Sequence, residues 1–157
     1  MEALRRTRRL RLQVRGESML PALWPGDVAE VAACSLEEIR RGEIVLAFRE
    51  GRLFLHRFLT RCEPDGFLTC GDSMPGPDPQ FPSDAFLGRL AGVVRAGQTV
   101  SAPVPLRPRL RILGKLFCYC SPARHLALKF HRRWNPLHTG GDHLCNLTSD
   151  LCNPPIP

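Results

Sequence analysis

The chain has 157 residues, 43% of them hydrophobic and 24% charged, with a formal net charge of +7. One packed domain with a short extension fits those figures, and wholesale disorder does not. Fifteen Pro and 13 Gly exclude a coiled coil or long-helix bundle, and no stretch approaches the ~18 apolar residues of a membrane-crossing helix.

Arg5, Arg6, Arg8, Arg9, Arg11 and Arg15 occupy the first sixteen residues without an apolar block. No secretory signal is read there, so the expected compartment is the cytoplasm, with at most a peripheral association with a membrane. Leu10, Leu12 and Val14 alternate with polar positions over 9–15, the pattern of a half-buried strand. Gly16-Glu17-Ser18 ends it, and Pro21, Pro25 and Gly26-Asp27 mark a turn-rich crossing to a strand at Val28–Val31. Ser35-Leu36-Glu37-Glu38 predicts a short helical turn with Ser35 as N-cap. Ile44–Phe48 and Leu53–Leu59 predict a hairpin joined by Arg49-Glu50-Gly51-Arg52. Phe67–Cys70 is a short strand ending at Gly71-Asp72, residues 73–85 are a loop with four Pro, and Phe86–Val94 is the last strand. Pro103, Pro105 and Pro108 mark a linker, Leu110–Cys120 and Ala123–Arg133 two helices broken at Ser121-Pro122, and 135–157 a loosely held tail. The fold class expected is mainly β, a curved or closed sheet followed by a small helical appendage.

Twenty of the 22 basic residues are Arg, only Lys115 and Lys129 being Lys. A compositional preference explains most of this, and an anionic membrane surface is a candidate partner. No aromatic residue interleaves the N-terminal Arg cluster, which argues against a nucleic-acid platform. Seven Cys without an export signal read as free thiols rather than a disulfide framework. Cys118 and Cys120 stand closer than the usual ligand spacing, and His125, His131, His138, His143, Cys145 and Cys152 follow in no recognised order, so no metal site is assigned.

Ser18 follows a strand and precedes a Pro-bounded turn, where its hydroxyl can face a groove; Gly16 beside it lets a peptide backbone approach. Serine needs a base to become a nucleophile. His56 is the sole His before residue 125 and shares a strand face with Phe54 and Phe58, surroundings that favour a neutral, proton-accepting imidazole. Asp72 and Asp78, on the loop after the next strand, are the carboxylates able to orient it. Taken singly, each has a plain structural reading: polar surface, a core His, turn residues.

Their order carries more. Ser18-Met19-Leu20-Pro21 with Gly26-Asp27, then Gly42-Glu43-Ile44-Val45, then His56-Arg57, then Cys70-Gly71-Asp72-Ser73-Met74 with Asp78, then Leu87-Gly88-Arg89 resemble the signal-peptidase-like serine peptidases, the superfamily that includes the self-cleaving repressor domains. The resemblance covers about residues 10–95. His56-Arg57 places it nearest the archaeal and endoplasmic-reticulum branch, whose basic residue is His; no Lys lies between Ser18 and Lys115 to serve the Lys-dependent version. It departs in having no membrane anchor, in Cys70 where Lys is usual, and in Gly16 where some members carry an oxyanion-holding hydroxyl, which leaves the oxyanion to backbone N–H groups and predicts slow turnover.

The resemblance implies a partly closed, curved β-sheet: a peptidase domain over 1–98, a linker and short helices over 99–134, and a tail over 135–157. It implies endopeptidase action through an acyl-enzyme on a peptide or protein substrate, bound as an extended strand past Gly16, Met19 and Pro21. Ser18 is the implied nucleophile, His56 the base and then acid, Asp72 its orienter with Asp78 in reserve, and no cofactor enters. Only seventeen residues precede Ser18, too few for a DNA-binding domain, so repressor-type self-cleavage is not expected. The competing expectation is a non-catalytic module of the same fold that binds peptides or a membrane surface.

Overall fold

A computed structural model describes residues 8–100 and 108–134. The tail expected over 135–157 and the Pro103–Pro105 linker lie outside the described residues. Seven strands, β1 (Arg9–Gln13), β2 (Val28–Ala32), β3 (Ile44–Arg49), β4 (Arg52–Cys62), β5 (Gly66–Cys70), β6 (Phe86–Arg95) and β7 (Gln98–Val100), precede two helices, α1 (Pro108–Tyr119) and α2 (Ser121–Trp134). The strands run antiparallel in the order β1-β2-β6-β3-β4-β5, and β7 pairs with the end of β6. Mainly β is therefore correct. Partial closure is not: among the described residues no ladder joins β5 to β1, and the sheet stays open.

β3 sits mid-sheet because its run Ile44-Val45-Leu46-Ala47 is apolar on both sides, and all four are buried. Successive side chains of a strand point to opposite faces. Ile44 accordingly joins a cluster with Val14, Met19, Leu23, Leu90 and Val93. Val45 and Ala47 join Ile39, Phe58, Phe67 and Phe81 on the other face. Each fully buried Phe or Leu contributes about 1.5–3 kcal/mol to holding these layers. The β3–β4 hairpin is tighter than expected: Glu50 and Gly51 have φ 51° and 75°, the pair of positive angles that a two-residue turn matching strand twist requires. β7 has no counterpart among the expected strands; it follows Ala96-Gly97, again both at positive φ. The 3-10 turn Leu36–Glu38 forms where expected, with Glu38 Oε1 accepting the Ser35 N–H at 3.1 Å.

Between the helices only Cys120 is non-helical, and Ser121-Pro122 open α2 instead of forming the break. Pro is tolerated there because a helix's first turn leaves its N–H groups unpaired. The helices pack on the sheet domain through Leu20, Phe117 and Leu128, with Trp24, Leu113 and Ala127 around them. His131 stacks on Trp24, ring centroids 4.4 Å apart. A Cβ at Gly114 would stand 2.6 Å from the Asp72 carbonyl oxygen and 3.5 Å from that of Leu20, so α1 lies directly on the two loops that carry Ser18 and Asp72. No helix among the described residues is long and apolar enough to cross a membrane.

Candidate active site

The segment carrying Ser18 is a closed loop. The Val14 N–H donates to the Asp27 carbonyl and the Gly26 N–H to the Val14 carbonyl, both at 2.8 Å, which ties its ends together. Asp27, 1% exposed, accepts the Trp24 N–H at 2.8 Å and two bonds from Arg95 at 2.8 and 2.7 Å. Such charge-assisted bonds hold the turn rigid. A second loop grips it from the side: the Ser73 N–H donates to the Ser18 carbonyl at 2.9 Å, and Ser73 Oγ to the Glu17 carbonyl at 2.8 Å.

Out of this frame Ser18 Oγ lies 2.8 Å from His56 Nε2, and His56 Nδ1 lies 2.6 Å from Asp78 Oδ2. Thr69 Oγ1 donates to the same Asp78 oxygen at 2.6 Å. Burial pushes the Asp78 carboxyl up, but the bonds from His56 and Thr69 outweigh it and hold the group below the ordinary carboxylate range. An ionised carboxylate can only accept, so Nδ1 carries a proton, and in the neutral ring Nε2 is then the acceptor for the Ser18 hydroxyl. His56 is 6% exposed; Ser18 is half-buried and is the open end of the relay. Among the described residues neither the Ser18 nor the Met19 N–H has a hydrogen-bond acceptor.

Asp72 does not fill the orienting role expected of it. Its carboxylate takes two bonds from Arg57, Nε to Oδ1 at 2.7 Å and Nη2 to Oδ2 at 2.8 Å. The reason is strand parity. His56 pairs across from Val45 and Arg57 from Ile44, so consecutive His and Arg project to opposite faces. Cys70 lies across from Arg57 and Thr69 from Phe58, which puts Cys70 on the Arg57 face and Thr69 on the His56 face. Asp72, two residues past Cys70, continues toward Arg57. Asp78 returns along β5, its N–H donating to the Thr69 carbonyl at 2.8 Å, and so meets His56. Arg49 pins the returning loop, donating to the Pro79 and Gln80 carbonyls at 2.6 and 2.7 Å.

Two expected substrate contacts are also corrected. Met19 is 2% exposed within the core cluster, and Pro21 is buried, its carbonyl taken by Trp24 Nε1 at 2.9 Å. Burial draws their apolar side chains inward, so neither is exposed beside Ser18. Gly16 is exposed, and a Cβ there would stand 4.0 Å from Ser18 Oγ, beside the hydroxyl. Thr69 and Ser73 complete the site without a role in the sequence-based expectations, and Arg57 holds Asp72 on the opposite face. The alternation of β5 was the available signal for Thr69; nothing local marks Ser73.

Cys70 donates its thiol to the Gly76 carbonyl at 3.1 Å, and burial, reinforced by the Asp78 and Asp72 charges, pushes that thiol up and keeps it protonated. Among the described residues no three metal-ligating side chains converge. A surface cavity of about 540 Å³ lined by Ile39, Arg41, Thr60 and Leu68, among others, contains none of the relay residues. Comparison with family models, curated proteins and solved structures finds no match to this chain.

The contact between Gly71 and Ser18 can be tested. A Cβ at Gly71 would sit 2.6 Å from the Ser18 carbonyl oxygen and 3.1 Å from Ser18 Cβ. Gly71→Ala is expected to push Ser18 off His56 and to lower any hydrolysis the pair supports about 10²-fold, since a misplacement near 1 Å costs that much. Kinetics beside a melting curve check this: activity should fall much further than stability.

Proposed function

We propose that the chain is a serine peptidase of the signal-peptidase-like kind, cleaving an extended peptide or protein segment. The observation that carries the reading is the continuous relay from Ser18 Oγ through His56 to Asp78, 2.8 and 2.6 Å long. In the proposed reaction Ser18 Oγ bonds to the scissile carbonyl carbon while its proton passes to His56 Nε2. Asp78 stabilises the imidazolium and stays ionised itself. The amide C–N bond breaks as His56 returns the proton to the leaving amine. Water, deprotonated by the same imidazole, then attacks the Ser18 ester, and the carboxylic acid leaves as the proton returns to Ser18.

The N–H groups of Ser18 and Met19, unpaired among the described residues, suit the negative charge that develops on the carbonyl oxygen. The exposed backbone of Gly16 offers an extended peptide an approach to Ser18. No side chain at Gly16 obstructs that approach. The test is digestion of a diverse peptide library read by mass spectrometry. The reading predicts new termini with the native chain and none with Ser18→Ala; a library left intact by both contradicts it.

A further inference from the structure

The helix pair carries charge and apolar surface that the candidate site does not use. Residues 108–134 contain seven Lys and Arg and no Asp or Glu. The fifteen other basic residues equal the 15 acidic ones, so this pair accounts for the whole net charge of +7. Each helix is also apolar on two opposite sides. On α1, Leu113, Gly114 and Phe117 face the domain. Ile112, Leu116 and Tyr119 are 70%, 47% and 78% exposed. At about 100° per residue these three form one stripe opposite the packed side, with Arg109 and Lys115 each about 60° to either side of it. On α2, Leu128 faces inward while Leu126 and Phe130, both 57% exposed, lie beside Lys129 and Arg133. Both inner sides rest on the one cluster around Leu20, so both outer stripes point away from the domain.

We propose that this helix pair docks on an anionic lipid surface. The five apolar side chains enter the headgroup–acyl boundary, and the flanking Lys and Arg meet lipid phosphates. A basic amphipathic face combines area burial with attraction to acidic headgroups in this way. Charge complementarity selects this occupant. A second copy would bring seven like charges against seven; three of the five exposed apolar side chains, Ile112, Leu116 and Leu126, are aliphatic and suit an acyl boundary better than base stacking, which only Tyr119 and Phe130 could supply. Because α1 lies on the loops of Ser18 and Asp72, docking would hold those loops about one helix diameter, ~10 Å, from the headgroups. That consequence matters only if the peptidase reading holds; the docking itself does not depend on it.

Sedimentation of the full chain with phosphatidylcholine vesicles, alone or with about 30% phosphatidylglycerol, tests the proposal. The chain should pellet with the anionic vesicles and stay in solution with the neutral ones, and binding should weaken as NaCl rises from about 0.1 to about 0.5 M. Ile112→Asp with Phe130→Asp, and separately Lys115→Glu with Lys129→Glu, should each lower binding about tenfold or more. These side chains are exposed, so circular dichroism should show an unchanged fold. Arg52→Glu, on the exposed hairpin tip, should bind like the native chain, and so should Ser18→Ala, which separates docking from catalysis. The proposal is overturned by absent or equal binding to the two vesicle types, or by undiminished binding of the apolar double variant. It is equally overturned by tighter binding to a DNA duplex than to anionic vesicles, or by a dimer that Ile112→Asp dissociates.

Discussion

Ser18→Ala is expected to lower peptide hydrolysis by ~10⁴-fold or more, and His56→Ala by a comparable factor. The two changes remove one functional unit: without the hydroxyl the imidazole has no proton to take, and without the imidazole the hydroxyl is a poor nucleophile at neutral pH. The double variant should therefore be little worse than either single one, since effects within one relay do not add. Ser18 is half-buried and loses a single side-chain hydrogen bond, so the fold should weaken by only about 1 kcal/mol. Steady-state rates with a peptide from the library, beside a thermal melt of each variant, measure both effects. Cleavage that persists in Ser18→Ala contradicts the assignment.

The two aspartates are expected to fail in different ways. In Asp78→Asn the side chain can turn an NH₂ toward His56 Nδ1, which shifts the ring proton to Nε2 and leaves nothing to accept the Ser18 proton. Turnover should drop ~10³- to 10⁴-fold with KM nearly unchanged. Asp72→Asn instead takes the carboxylate from a pair whose side chains are only 11% and 6% exposed. Removing one partner of such a pair costs about 3–5 kcal/mol, so the urea midpoint should fall sharply. Kinetics and denaturation of both variants separate the roles. A stable, inactive Asp72→Asn beside an active Asp78→Asn reverses the assignment.

Those two carboxylates show where the sequence was legible and where it was not. Ser18, His56 and both Asp stand out by type and order, and the hairpin around His56 is marked by its apolar runs. Which Asp serves His56 depends on the face each reaches, and that was readable only in part. Counting two residues on from Cys70 carries Asp72 toward the Arg57 face. The return of Asp78 depends on the loop folding back along β5, with Phe67 and Phe81 exchanging backbone bonds at 2.8 and 2.9 Å. No local pattern in a Pro-rich stretch announces that long-range pairing. Met19 looked like a substrate neighbour by its place beside Ser18, but its apolar side chain was better placed in the core. The open sheet escaped for a similar reason: short alternating strands mark β structure without revealing whether the first and last strands meet.

The most direct measurement is the covalent intermediate. Acid-quenching the chain during turnover of an activated peptide ester, then mapping the modified peptide by mass spectrometry, should find the acyl group on Ser18. The adduct should be absent from Ser18→Ala and build up more slowly in His56→Ala. Hydrolysis that proceeds at the native rate in Ser18→Ala, or an acyl group mapped to another residue such as Cys70, would contradict the account.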